Sequence, residues 1–376
     1  MGCNLTWPAR PGSSSVRRVL TKLVLENFKS FRAAEIDFPK SRLTVLVGPN
    51  GCGKSTVLEA AFQALALDSV TKRAEPGGDG AKDAVRVGSQ GFSVRATVEA
   101  GSAHPRARID TQAVFRDGKT TRTAALTIED QTKVFIPDEG VIEPFVVLGE
   151  ERLSTDDLYQ ALPRPRYFSV NLSELRLPLQ PSVGPETLTI DAELIIQRML
   201  DMKLGSEPLA YETLVRDVRA IVPAVRQISL QRHFDVVEKY GLRFDMATGS
   251  GIPASQVSEG TLLTLALCVA ARSAGQTILL IDDIDRALHP SAQRQLITFL
   301  RATVETQPIQ IICTTHSPCI LGEFRYDEVR VLREADGASQ CIALDQGPEA
   351  ARWMKELDAG EYWSFFEGKL FQNQSK

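Results

Sequence analysis

The stretch "LTVLVGPNGCGKST" at residues 43–56 runs from an apolar segment into a glycine-rich turn that ends in a lysine and two hydroxyls. A mostly apolar run without alternation is the pattern of a parallel strand buried on both faces. The "STVLEAAFQALAL" that follows puts strong helix formers at helical spacing over Ser55–Leu67. Strand, glycine loop, helix is the order that a phosphate-binding loop requires. The glycines let backbone N–H groups converge on an anion, and the helix N-terminus points at the same place. Gly48–Ser55 fits G-x-x-x-x-G-K-[ST], so Asn50, Gly51, Cys52, Gly53, Lys54, Ser55 and Thr56 are the expected ATP contacts. Lys54 would hold the β- and γ-phosphates and assist catalysis, and the Ser55 hydroxyl would ligate Mg²⁺.

Three later stretches bear on the same site. "TILLIDDIDRALHP" ends a buried strand in carboxylates. Asp282, at the strand end, is placed to be a second Mg²⁺ ligand. Asp283, leaving on the other side, would polarise the attacking water. "IICTTHSPCIL" is another buried strand, and it ends at His316. Parallel strands gather their C-terminal ends at one edge, where ligands bind. His316 is therefore expected beside the aspartates, donating to a γ-phosphate oxygen or orienting the water. Ser258-Glu259-Gly260-Thr261 opens a helix just before the Asp strand. Ser258 reads as its N-cap, and the same helix start is an anion site. It cannot easily fold back on its own phosphate loop, so Ser258, Glu259 and Gly260 are expected to meet the nucleotide of a second copy.

The rest of the chain supplies the frame. "VLTKLVLENFKSFRAAEIDF" reads as two strands joined around Asn27–Arg32, and residues 69–125 alternate in short segments that suggest an antiparallel β-layer. Residues 150–185 form a proline-rich connector with one strand near Tyr167. "DAELIIQRMLDM" and "AYETLVRDVRAIV" read as helices, and "VRQISLQR" and "GLRFDMA" as strands. From Ser258 onward helices and buried strands alternate, which implies a parallel sheet with crossovers. The expected division is a disordered tail at 1–18, an N-terminal ATPase lobe at 19–150 and a connector with helical lobe at 151–250. A C-terminal ATPase lobe at 251–340 and a tail at 341–376 complete it.

Composition narrows the classes. The 376 residues are 43% hydrophobic with a formal net charge of −4, so the chain is globular and not generally basic. DNA contact would need a local patch, for which Arg17, Arg18, Lys22, Lys29, Arg32, Arg106, Arg108, Arg116, Lys119 and Arg122 are candidates. Six cysteines without CxxC pairs read as reduced small hydrophobes, which with the absence of a long apolar run points to a cytoplasmic protein without membrane segments. The start "MGCNLT" fits a loose myristoylation pattern, but a polar tail is the preferred reading.

"LVLENFKSF", "LVGPNGCGKST", "VSEGTLLTLAL", "LLIDDIDRALHP" and "TTHSPCIL", taken in order, span residues 20–330. On them the chain resembles the ABC-type ATPases of the SMC/RecF/Rad50 class, in particular compact stand-alone AAA-family ATPases related to the ATPase domain of OLD proteins. The resemblance implies an α/β fold: an ABC-type P-loop ATPase head with a mixed or parallel sheet, an antiparallel β-layer and a helical lobe. It implies ATP and Mg²⁺ as ligands and a head-to-tail dimer with two ATPs between the protomers. Asp282 then matches the Walker B position and "SEGT" the signature motif. Asp283 matches the site of the usual catalytic glutamate, His316 the switch histidine, and Leu288-His289-Pro290 the D-loop. Aspartate is one methylene shorter than glutamate, so slow hydrolysis is expected, and Asp285 could contribute instead. The Q-loop residue, between 131 and 180, stays open. A long coiled coil is missing, and residues 333–376 are too few for a nuclease domain such as OLD proteins carry.

Three functions follow as expectations. The first is an ATP-driven switch that signals to a partner effector in bacterial anti-phage defence. The second is a RecF-like DNA-binding repair ATPase, and the third a non-hydrolysing ATP-dependent scaffold. The aromatics Trp353, Tyr362, Trp363, Phe365 and Phe366 either dock a partner or pack on the core.

Overall fold

The computed structural model describes residues 18–66, 84–100, 107–116, 119–128, 131–135, 145–148, 151–154, 163–182, 188–205, 209–234, 238–273, 275, 277–347 and 349–366. The myristoylation pattern, Arg17, Arg106 and Cys3 lie outside them.

Two antiparallel strands, β1 (Arg18–Phe28) and β2 (Phe31–Asp37), meet at a tight turn in which Asn27 and Lys29 have positive φ. Next come β3 (Leu43–Val47), α1 (Lys54–Leu65) and four antiparallel strands: β4 (Gly91–Ala100), β5 (Ala107–Arg116), β6 (Lys119–Ile128) and β7 (Gln131–Phe135). A small hairpin of β8 (Phe145–Leu148) and β9 (Glu151–Ser154) precedes β10 (Arg164–Phe168) and β11 (Thr189–Ile190). Helices α2 (Ala192–Leu204) and α3 (Ala210–Ile221) follow, then the meander β12 (Val225–Phe234), β13 (Glu238–Met246) and β14 (Gly249–Pro253). The chain continues through α4 (Glu259–Arg272), β15 (Thr277–Ile281), α5 (Pro290–Thr306) and β16 (Ile309–Thr314). It closes with α6 (Pro318–Leu321), β17 (Val329–Ala335), β18 (Ala338–Ala343), α7 (Ala350–Trp353) and α8 (Ala359–Phe366).

The central sheet has the order β11-β10-β15-β16-β3-β17-β18 and is parallel throughout except for β18. β3, from the N-terminal half, lies between β16 and β17 from the C-terminal half, so the two halves share one sheet. Both faces are covered, which is why its strands are apolar without alternation. Leu43, Val45 and Val47 of β3, with Leu279 and Ile281 of β15, feed the larger core with α2–α5. Leu46, Ile278, Leu280 and Ile312 feed a second core with α1 and the β-layer. That layer is a six-stranded antiparallel sheet in the order β2-β1-β4-β5-β6-β7.

A buried amide on the central sheet reaches the β-layer. Gln310, 1% exposed on β16, accepts from Leu20 N–H at 2.8 Å and donates to Leu20 C=O at 3.0 Å. The β1–β4 register shifts between Leu20 and Lys22, so the amide serves β1 at an irregularity in its own ladder. Gln310→Leu would leave two buried main-chain groups unpaired, each costing about 1–3 kcal/mol. A lower urea midpoint at unchanged slope is the expected result, and an unchanged midpoint would show that Leu20 finds other partners.

The helices start and stop where their caps direct. Asp191 caps α2 by accepting from Leu194 N–H at 2.8 Å, and Ser258 caps α4. Pro290 occupies the first turn of α5, and His289 caps it, its Nδ1 accepting from Ser291 N–H at 3.3 Å. The C-terminal aromatics mostly pack. Tyr362 is fully buried, with ring centroids 5.3 Å from Tyr326 and 4.8 Å from Phe366, whereas Phe365 is exposed. Cys52, Cys268 and Cys313 are buried free thiols, and burial raises the pKa of each. Among the described residues no helix is long and apolar enough to cross a membrane.

Candidate active site

The parallel register brings four strand ends to one edge: β3 into the glycine loop, β15 into Asp282–Asp285, β16 into Thr315–His316 and β10 into Ser169–Asn171. The glycine loop is shaped by close approach. A Cβ on Gly48, at φ 152°, would collide with the Leu332 carbonyl, and one on Gly53, at φ 99°, would lie 2.8–2.9 Å from Ser339, Phe31 and Ser30. Gly51 also has positive φ but faces open space, so its requirement is conformational. Asn50 and Gly51 are exposed, Cys52 and Gly53 buried, and Thr56 half-buried.

Lys54, 7% exposed, donates from Nζ to the carbonyls of Gly48 at 2.9 Å and Pro49 at 3.0 Å. The Ser55 hydroxyl donates to Asp282 Oδ2 at 2.7 Å, and Asp282 Oδ1 accepts from Thr314 Oγ1 at 2.6 Å. A hydroxyl beside one carboxylate at the mouth of a phosphate loop is the donor set from which Mg²⁺ draws its protein ligands, the others being phosphate and water. The residues present therefore fit Mg²⁺ and a nucleoside triphosphate. Ser55 and Asp282 would hold the ion, which when bound neutralises developing phosphate charge.

Asp283 has a left-handed backbone, at φ 49°. Asp adopts this region more readily than most residues. Its N–H donates to Thr314 Oγ1 at 2.8 Å, and one carboxylate oxygen lies 4.0 Å from His316 Nε2. Partial burial, then the Asp282 carboxylate, push the Asp283 carboxyl above the usual carboxylate range, and the His316 imidazole opposes them. Asp285 does not face this pair in the same way. It accepts from Thr315 Oγ1 at 2.6 Å and from His316 N–H at 3.3 Å, so it holds the loop that carries the histidine. Ser317 Oγ in turn donates to Gln293 Oε1 at 2.7 Å.

Ser258, Glu259 and Gly260 sit at the start of α4. Ser258 Oγ accepts from Thr261 N–H at 3.3 Å, and Glu259 pairs with Arg286 at 2.8 Å. A Cβ on Gly260 would stand 2.5 Å from the Ala287 carbonyl, where Ala287 is itself at φ 58°. The glycine is thus required by the segment after the aspartates of the same chain, whatever a second copy brings.

Several participants escaped the sequence reading. Thr314 and Thr315 stood in the quoted "TTH", and the pair of hydroxyls beside a histidine was the available signal. Tyr167 on β10 pairs in register with Leu280, two residues before Asp282, and its ring meets Phe62 of α1 edge-on at 6.4 Å. Burial, then the charges of Asp282, Glu59 and Asp283, raise the pKa of its phenol. Asn171 is the amide just beyond the end of β10, within the window left open for a Q-loop. Of the basic candidates, Lys22 pairs with Glu35 and Asp37, and Lys29 with Glu59. Arg32 is exposed, and Arg18 is half-buried with its pKa lowered to about 10 by burial. The side chains of Arg108, Arg116, Lys119 and Arg122 lie outside the described set.

A phosphate loop, strand-end carboxylates and a histidine loop on one sheet edge, with an antiparallel layer over one face, give the chain the fold of an ABC-type ATPase head. Residues 22–163 match the family model described as "AAA domain". Residues 213–322 match that described as "AAA domain, putative AbiEii toxin, Type IV TA system". The "Retron Ec83 probable ATPase" of Escherichia coli is 25% identical over 373 aligned residues, covering 78% of this chain and 68% of its own length. The "Retron Vc95 probable ATPase" of Vibrio cholerae is 27% identical over 146 residues, 35% of this chain and 27% of its own length. The chain thus spans only about a quarter of the Vibrio relative. In fold it is similar to the Smc head with an extended coiled coil bound to the C-terminal domain of ScpA from Pyrococcus furiosus. That match has a TM-score of 0.56 at 12% identity, covering 93% of this chain and 99% of that one. An SmcHead bound to the C-winged helix domain of ScpA gives 0.53 at 14% identity, covering 86% and 96%.

Proposed function

We propose that the chain is an ATP-hydrolysing switch that closes head-to-tail on a second copy around two Mg²⁺·ATP and signals to a partner effector in the cytoplasm, in anti-phage defence. The observation that carries the hydrolytic part is the linked set Ser55–Asp282–Thr314–Asp283 with His316 alongside. In this reading Lys54 neutralises the triphosphate, and Asp283 takes the proton of the attacking water. His316 stands by to donate to the γ-phosphate, with Asp285 and Thr315 holding its loop. Ser258–Gly260 would meet the triphosphate of the second copy. The defence setting is supported by the match of residues 213–322 to the AbiEii-toxin family model. The pairing of Lys22 and Lys29 with acids disfavours a DNA path along the first strands.

Phosphate release by the purified chain with ATP and Mg²⁺, compared with Lys54→Ala, tests the enzymatic part. Release above that background is expected. Release equal to it, with ATP still bound, would favour the scaffold reading.

A further inference from the structure

Besides Arg286 on Glu259, a second side chain joins the nucleotide edge of the central sheet to the start of α4. Arg176 ends a short 3-10 turn, Glu174–Arg176, that follows β10. Its Nη1 donates to the carbonyls of Val257 at 3.0 Å and Ser255 at 3.1 Å, with Ala254 more distant at 3.4 Å. Those carbonyls belong to the turn Ala254–Gln256 and its exit, immediately before the N-cap Ser258. A cationic donor on clustered carbonyls makes stronger bonds than a neutral one.

The Arg176 end is itself fixed. Leu175 is fully buried in the larger core, and Asn171 donates to Glu174 Oε1 at 3.1 Å while accepting from Ser173 N–H at 3.1 Å. Leu179 and Tyr240 exchange main-chain bonds at 2.8 and 3.0 Å, which pins the segment to β13. The segment's root is the end of β10, the strand beside the one that carries Asp282. Arg176 therefore connects a strand end of the chain's own site to the backbone that aims Ser258–Gly260 outward.

We propose that Arg176 is a positioning residue: it sets how the start of α4 is presented to the nucleotide of a second copy, without touching nucleotide itself. This rests on the dimer reading above. It separates two quantities that a general structural role would move together. ATP binding by one chain uses Lys54, Ser55 and Asp282, none of which Arg176 contacts. Closure of two chains uses Ser258–Gly260, whose approach Arg176 fixes.

The test compares the full chain, Arg176→Ala and Arg176→Lys with Mg²⁺ and adenylyl imidodiphosphate. Affinity for a fluorescent ATP analogue is measured at low protein concentration, dimer dissociation by sedimentation at saturating nucleotide, and the melting temperature alongside. Arg176→Ala is expected to bind nucleotide within about twofold of wild type yet dimerise roughly tenfold or more weakly. Arg176→Lys, whose ammonium keeps three donors, should regain most of that loss. Unchanged dimerisation of Arg176→Ala beside a dimerising wild type overturns this inference alone. So does a parallel fall of nucleotide affinity and melting temperature. A wild type that stays monomeric at saturating nucleotide removes the dimer reading and this inference with it.

Discussion

Lys54→Ala should bind and hydrolyse ATP at least about 100-fold less well than wild type while keeping its fold. The ammonium is 7% exposed and faces the loop's own carbonyls at 2.9 and 3.0 Å, so it lies within the glycine turn rather than over it. Removing it takes away the one cation placed by the loop among the contacts described for it, at the point where triphosphate charge would concentrate. The helix N-terminus and the loop N–H groups would still attract an anion. They supply partial charges, too little to replace a full one. Titration with a fluorescent ATP analogue and a phosphate-release assay would measure the loss. Near-wild-type affinity would mean that the loop does not hold the triphosphate.

Asp283→Ala carries the second large effect. A positioned general base contributes roughly 10²- to 10⁴-fold in rate, and turnover should fall by that order while ATP affinity stays close to wild type. Asp282 holds Ser55 and Thr314 whether or not Asp283 is present, so the phosphate and metal contacts would survive. The backbone bears on why an aspartate suits this position. At φ 49° the position favours a short polar side chain that tolerates left-handed geometry. A large loss of affinity together with rate would instead assign Asp283 to binding.

The fold class was legible because each element announced itself locally. "LTVLV", "TILLI" and "IQIICT" are apolar without alternation, as strands covered on both faces must be. The strands of the β-layer alternate, and α4 shows its polar start at Ser258. The edge-sharing of the phosphate loop, the aspartates and His316 follows from parallel pairing alone. What stayed hidden depends on contacts between distant segments, which leave no periodic trace. Gln310 looked like one polar residue in a buried strand, yet it serves Leu20 from the other sheet. Thr314 and Thr315 read as strand residues until their hydroxyls were seen on Asp282 and Asp285. The glycine at 260 looked like part of an anion site, and its nearest constraint is the Ala287 carbonyl of its own chain. Arg176 fell in a proline-rich connector, where nothing in the spacing pointed toward residues 254–257.

The most direct test is molecular size by light scattering with ATP and Mg²⁺, on wild type and Asp283→Ala, with phosphate release followed in parallel. The switch predicts that wild type releases phosphate and that Asp283→Ala accumulates as an ATP-bound dimer releasing almost none. If neither chain changes size with ATP, Ser258–Gly260 does not meet the nucleotide of a second copy in the isolated protein, and the head-to-tail switch is wrong.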